Sequence, residues 1–222
     1  MIALPEVTRE AHRRIPLYAT NKKILDALDA RYGRPVIVEQ DAFDLYFQIV
    51  NGLPEGLRIR ERGGFIQATL KVPEQTQIPN IYQGVEAYNP AAICDVLDIR
   101  PVVNNVEELI AAADRKYGRD FILHQHRTLA SFDGTRISLD AICFHEPTRN
   151  AIPPIRNAVG KLYFAEGLYE AEGTNKELLQ EATQHLVSLG LAGAPLEKTK
   201  EQMGREILQN IQAFRRSKMG RY

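Results

Sequence analysis

Apolar and polar positions alternate most regularly between Leu57 and Lys71. Leu57, Ile59 and Glu61 fall on one side of a predicted strand, Arg58 and Arg60 on the other. Beyond Gly63-Gly64 a second alternation sets Phe65, Gln67, Thr69 and Lys71 against Ile66, Ala68, Leu70 and Val72. Paired glycines supply the positive φ angles of a two-residue turn, so the stretch predicts a hairpin with basic side chains gathered on one face. Taken alone, that face reads as the solvated side of an antiparallel sheet.

The same reading extends along the chain. Glu10 to Leu17 predicts a short strand with Glu10, His12 and Arg14 on one side. Thr20 to Gly33 predicts a helix, with Thr20 as N-cap, Ile24, Leu25 and Leu28 as its apolar stripe and Gly33 as its stop. Strands are expected over Pro35 to Glu39, Phe43 to Val50 and Ile81 to Tyr88, and a short helix over Ala91 to Leu97. Asn105 to Gly118 reads as a capped helix, and Phe121 to Leu129 and Thr135 to Phe144 as a hairpin joined through Asp133-Gly134. Pro147 to Pro154 is a proline-rich loop, and Gly160 to Gly173 holds one or two strands. Helices over Lys176 to Leu189 and Leu196 to Arg216 close the chain. The last carries Met203, Ile207, Ile211 and Phe214 at helical spacing, a core-packing stripe.

One segment recurs. Asp29-Ala-Arg-Tyr-Gly-Arg-Pro-Val-Ile-Val-Glu-Gln40 aligns without a gap on Asp114-Arg-Lys-Tyr-Gly-Arg-Asp-Phe-Ile-Leu-His-Gln125. Each copy runs from a helix end into an apolar strand, which makes two pseudo-repeats of one strand–helix–strands unit the expectation. The expected architecture is α+β, a single domain over residues 1–222 with its core at about 10–192 and the C-terminal helix 196–216 packed on it. Strand-rich halves favour one antiparallel sheet with helices outside, and closing it into a barrel would remove its edges.

Composition narrows the function classes. The 28 basic and 28 acidic residues leave a formal net charge of +0, unlike the basic excess of a dedicated nucleic-acid binder, so no nucleic-acid partner is expected. With 2 cysteines, Cys94 and Cys143, there is no disulfide framework, and a reducing cytoplasm is the simplest setting. Neither a signal peptide nor a membrane-spanning run is read, so no membrane partner is expected.

Charge is instead sorted along particular strands. Glu10, His12 and Arg14 share one face, as do Arg136, Ser138 and Asp140, with Arg127 on the preceding strand, and Glu170 with Glu172. Two carboxylates at i and i+2 repel unless water, cations or a metal lies between them. Such oxygen donors suit Mg²⁺ or Mn²⁺, and Arg58, Arg60, Lys71, Arg127 and Arg136 suit phosphate oxygens. Together they describe a polyphosphate site, where catalysis is mostly positioning and charge stabilisation. His12 is as well explained by a structural role as by ligation, and His124, His126 and His145 read as structural or exposed. Glu39, Asp41 and Asp44 read as a solvated acidic rim, and Phe43, Tyr46 and Phe47 as core aromatics. Asp140 reads as buried, because a strand interior rarely holds Asp without a partner.

The order of these motifs resembles the CYTH superfamily, the triphosphate tunnel metalloenzymes that include class IV adenylate cyclases and thiamine triphosphatases. Glu10-Ala-His-Arg-Arg14 falls at the family's N-terminal Glu-x-Glu-x-Lys signature. Leu57-Arg-Ile-Arg-Glu-Arg62 with Ala68-Thr-Leu-Lys71 is similar to its LRIRxR and TxK strands, and Arg127, Arg136-Ile-Ser-Leu-Asp140 and Glu170-Ala-Glu172 to its later elements. The resemblance implies an eight-stranded antiparallel β-barrel whose tunnel binds triphosphate and a divalent metal, Mg²⁺ or Mn²⁺. It places Arg14, Arg58, Arg60, Lys71, Arg127 and Arg136 on phosphate, and Glu10, His12, Asp140, Glu170 and Glu172 on metal. The chain departs from the pattern in having His12 for a glutamate, Arg14 for a lysine and only Glu86 in the Tyr82 to Tyr88 strand. It also carries an insertion at about 147–166, read as a surface hairpin or lid. The implied activity is hydrolysis of a small-molecule triphosphate or polyphosphate, with a nucleotidyl cyclase and a binding-only module as alternatives and a homodimer left open.

Overall fold

The computed structural model describes residues 11–48, 57–73, 84–87, 89–132, 135–148, 154–173, 176–196 and 198–219. Within them the chain is α+β. Its strands are β1 (Ala11–Pro16), β2 (Val36–Phe47), β3 (Leu57–Arg62), β4 (Phe65–Pro73), β5 (Gly84–Ala87), β6 (Arg119–Phe132), β7 (Thr135–Pro147) and β8 (Val159–Gly173). Its helices are α1 (Asn21–Tyr32), α2 (Pro90–Val96), α3 (Val106–Tyr117), α4 (Lys176–Ser188) and α5 (Lys200–Met219).

The strands form one antiparallel sheet in the order β1-β8-β7-β6-β2-β3-β4-β5. Read from either end, this order exchanges β1 with β5, β2 with β6, β3 with β7 and β4 with β8. The repeat is therefore structural, and its two copies meet at the β2–β6 pair, where Asp41 lies opposite His126. Both copies end a helix in the same way. Gly33 and Gly118 take φ of 83° and 75°, and their N–H groups close on the carbonyls of Asp29 and Asp114. The expected closed barrel is not recorded: among the described residues β1 and β5 remain the sheet's edges.

The predicted hairpin forms as read, with Gly63 at φ 57° and Gly64 at φ 82° between β3 and β4. The Thr20 and Asn105 caps also form, accepting from the N–H of Lys23 and Glu108. The two strands expected at 35–39 and 43–50 are instead one. Polar Gln40 and Asp41 interrupt the apolar pattern, but pairing with β6 runs unbroken from Val36 to Leu45, because backbone groups carry a ladder regardless of side chain. Among the described residues of the 147–166 stretch, Pro147 pairs with Val159 and so lengthens the β7–β8 hairpin. Residues 155–158, just before β8, lie against β3: Ile155 and Ala158 are buried in the core, and the Arg156 N–H donates to Glu61 at 3.1 Å.

The sheet has an apolar face and a charged face. On the apolar face α2 and α3 cover Leu45, Leu57, Ile59, Ala68 and Leu70, while α1 and α4 cover Ile15, Ala130, Ile137 and Leu139. α5 packs elsewhere. Its Leu208, Met203 and Ile207 meet Tyr46, Phe121, Leu123, Ile142 and Phe144, which by alternation share the charged face with Asp44, Gln125 and Asp140. The expectation that all helices lie outside is corrected for this one.

Gly204 is what lets α5 approach so closely. A Cβ there would sit 2.5 Å from Phe121 Cζ and 2.9 Å from Phe144 Cε1, on rings 0% and 1% exposed. Alanine would gain about 1 kcal/mol of helix propensity, against about 1–3 kcal/mol of overpacking. Gly204→Ala is expected to lower the melting temperature, and an unchanged or raised value would show that α5 does not dock on those rings.

Candidate functional site

The charged face is built by strand alternation, which turns every second side chain of β2, β3, β6 and β7 the same way. Arg60 on β3 lies opposite Asp44 on β2, and its Nε and one terminal nitrogen each reach an Asp44 oxygen at 2.6 Å. Arg127 on β6 lies opposite Asp140 on β7 and grips it in the same two-pronged way, at 2.9 and 2.8 Å. Gln125 joins the pairs: its Nε2 donates to Asp44 at 2.7 Å, and its Oε1 accepts from Arg127 at 3.3 Å. From α5, Lys200 donates to Gln125 at 2.9 Å and to Asp140 at 2.5 Å.

Both carboxylates are buried, Asp44 at 0% and Asp140 at 1% exposure. Burial alone would raise the Asp44 pKa, but the charge and hydrogen bonds of Arg60, with Arg58 and Lys200 nearby, hold it below the usual carboxylate value. The arginines crowd one another. Burial, followed by repulsion from Arg60, Arg127, Arg136 and Arg58, lowers the pKa of Arg62. Arg58 Nε and Ser138 Oγ, both on this face, are buried with no hydrogen-bond partner among the described residues.

The remaining expected positions fall on β1, β4 and β8. Cross-strand register puts Arg14, Glu170 and Ser138 in one row and His12, Glu172 and Arg136 in the next. Lys71 lies opposite Glu86 at the far side of the sheet. Glu10 lies outside the described residues. Glu170 and Glu172 stand at i and i+2 of β8, with His12 at the register position opposite Glu172. Among the described residues no group of three or more histidine, cysteine, aspartate or glutamate side chains could hold an ion. Asp140 has a different character, since both its oxygens already accept from fixed cations.

The histidines read as structural or exposed lie off this face. His124 and His126 meet Asp41 at 3.2 and 3.0 Å, and those contacts, His126 foremost, lower the Asp41 pKa. Glu39 and Asp41 are exposed, as a rim predicts, whereas Asp44 is not part of it. A cavity of about 360 Å³ opens elsewhere, beside Asp114, Asp120 and Glu146. Three carboxylates against Arg119 make that lining a poor match for a polyanion.

Sequence reasoning missed Asp44, Arg62, Gln125 and Lys200. Arg62 was legible, as the third arginine of Leu57-Arg-Ile-Arg-Glu-Arg62. Asp44 carried a signal too, an acid alternating with buried aromatics. Gln125 and Lys200 had none, because their partners are distant in sequence.

No protein-family model matches the chain, and no curated protein does. Solved structures do. A putative adenylate cyclase from Bacillus halodurans is 16% identical, covering 89% of this chain and 97% of its own, with a TM-score of 0.52. The putative adenylyl cyclase HpAC1 from Hippeastrum, described as having a dominant triphosphatase activity, is 15% identical over 90% of this chain and 96% of its own, with a TM-score of 0.50. The PH1012 protein of Pyrococcus horikoshii OT3 is 13% identical over 85% and 96%, with a TM-score of 0.52. The chain thus shares the fold of these solved structures. Among the described residues no helix is long and apolar enough to cross a membrane.

The Asp44 pair sets a stability test. Removing one partner of a buried ion pair leaves the other charge uncompensated, at about 3–5 kcal/mol. Asp44→Ala is therefore expected to lower unfolding free energy by about that amount in denaturant titration. Because the folded state depresses this carboxyl, its contribution is present above the unfolded value of 3.8 and lost as pH falls through and below it. The variant should show a shallower acid limb than the wild type, and parallel limbs would rule out Asp44 as a source of the acid sensitivity.

Proposed function

We propose that this chain binds the triphosphate of a small molecule on its charged face and hydrolyses it with the help of a divalent metal. The observation that carries the reading is the placement of Arg58, Arg60, Arg62, Arg127 and Arg136 on one face by strand register and alternation, where burial first and their mutual repulsion second lower the Arg62 pKa. Like charges gathered at such cost are compensated best by a ligand of several negative charges.

The binding side is preorganised. Asp44 fixes Arg60 and Asp140 fixes Arg127, so these guanidiniums need little rearrangement to meet phosphate oxygens. Arg58, Arg62 and Arg136 complete the wall, with Arg14 and Lys71 at its margins. Glu170 and Glu172 would hold Mg²⁺ or Mn²⁺, which would neutralise phosphoryl oxygens during transfer to water. The proposed site includes closure of the sheet into a tunnel. It would strip water from the phosphates and strengthen each contact. Solved structures of similar fold, described as a putative adenylate cyclase and as a triphosphatase, support the reaction class at the level of fold.

Phosphate release from tripolyphosphate, thiamine triphosphate and ATP, with Mg²⁺ or Mn²⁺, tests the proposal directly. Metal-dependent release from at least one is expected, and cyclic AMP from ATP without free phosphate would assign a cyclase instead. The Glu170→Gln/Glu172→Gln double variant should lose metal-dependent turnover while keeping its fold by circular dichroism, and surviving activity would move the metal site. Arg62→Ala is expected to weaken tripolyphosphate about tenfold and monophosphate little in calorimetry. Equal losses for both would argue against a polyanion face.

A further inference from the structure

We propose that Lys200 takes the cation position at Asp140, so that the charged face captures a polyanion with no divalent metal at that carboxylate. The reading goes beyond the proposed activity and rests on it only for the identity of the captured ligand. By sequence position Asp140 is a metal candidate, but its geometry differs from that of an open ligand. Oδ1 accepts from Arg127 Nε at 2.9 Å, and Oδ2 accepts from a terminal nitrogen of Arg127 at 2.8 Å and from Lys200 Nζ at 2.5 Å. The Asp140 side chain is 0% exposed and those of Arg127 and Lys200 are 9%.

A divalent ion on either oxygen would stand beside two fixed positive charges in a poorly screened interior, and their repulsion opposes its entry. Its coordination would also require an oxygen already donated to by a cation. Lys200 is delivered by the fold. It opens α5, whose docking depends on Gly204 meeting Phe121 and Phe144, and it is held on its second side by Gln125. The ammonium is thus a tethered charge that neither concentration nor a chelator removes. With it in place, Arg58, Arg60, Arg62, Arg127, Arg136 and Lys200 share the face with the buried carboxylates Asp44 and Asp140. Register puts Glu170 and Glu172 on the same face, and six cations against four carboxylates still leave a positive excess before any metal arrives. Any metal requirement then belongs to turnover at Glu170 and Glu172, not to capture.

The test uses the full chain and two independent readouts. Mn²⁺ binding is followed by electron paramagnetic resonance without phosphate, for wild type, Asp140→Asn and Lys200→Met. Asp140→Asn should leave Mn²⁺ affinity within about twofold of wild type, and Lys200→Met, which removes one of the two cations from Oδ2, should gain a further Mn²⁺ site. A loss of about tenfold or more in Asp140→Asn would make Asp140 a metal ligand and overturn the proposal. The second readout needs no variant. Calorimetry of wild type with tripolyphosphate should give a Kd in EDTA within about threefold of that in Mg²⁺, and a metal requirement of about a hundredfold would overturn the proposal. No tripolyphosphate binding under either condition would instead sink the triphosphate reading, while the Mn²⁺ comparison would still decide the role of Lys200.

Discussion

The charged face depends on two buried carboxylates. Without Asp44 and Asp140, arginines projecting from neighbouring strands would repel one another and swing toward solvent. With them, Arg60 and Arg127 are each held by paired hydrogen bonds in a fixed plane. The carboxylates could not be buried at 0% and 1% exposure without those cations either. Gln125 ties the two pairs into one network, so the geometry at one guanidinium is felt at the other.

The fold supplies the frame for this by duplication. Two copies of one strand–helix–strands unit join at β2 and β6 and bring the first strand after each into equivalent places in the sheet. The backbone is symmetric but the charge is not. β3 carries Arg58, Arg60 and Arg62, whereas its counterpart β7 carries Arg136, Ser138 and Asp140, beside Glu170 and Glu172 on β8. On the proposed function, the cationic half of this duplicated sheet would meet the polyanion and the partly acidic half the cations that accompany it. The apolar face shows no such division, because burial under α1 to α4 asks only for hydrocarbon.

α5 covers part of the charged face. It buries an apolar stripe on Phe121 and Phe144 and at its first turn inserts Lys200 into the carboxylate network. Packing and electrostatics are coupled here: the ammonium reaches Asp140 only because Gly204 lets the helix lie against the rings.

The sequence by itself determined the local elements. The Gly63-Gly64 hairpin, the Thr20 and Asn105 caps and the glycine stops at 33 and 118 are short-range matters of backbone conformation and side-chain period, visible within a dozen residues. The basic side of the site was legible for the same reason, since alternation alone aims Arg58 and Arg60 together. Only the tertiary structure decided which carboxylates those arginines meet. Asp44 looked like rim because it stands in an acidic cluster with Glu39 and Asp41, and nothing local says that Arg60 will lie across from it. Only the tertiary structure placed Lys200 on Asp140, 60 residues away in the chain, because that contact depends on which face of the sheet α5 covers. Periodicity tells which side of a helix is buried, but not against what.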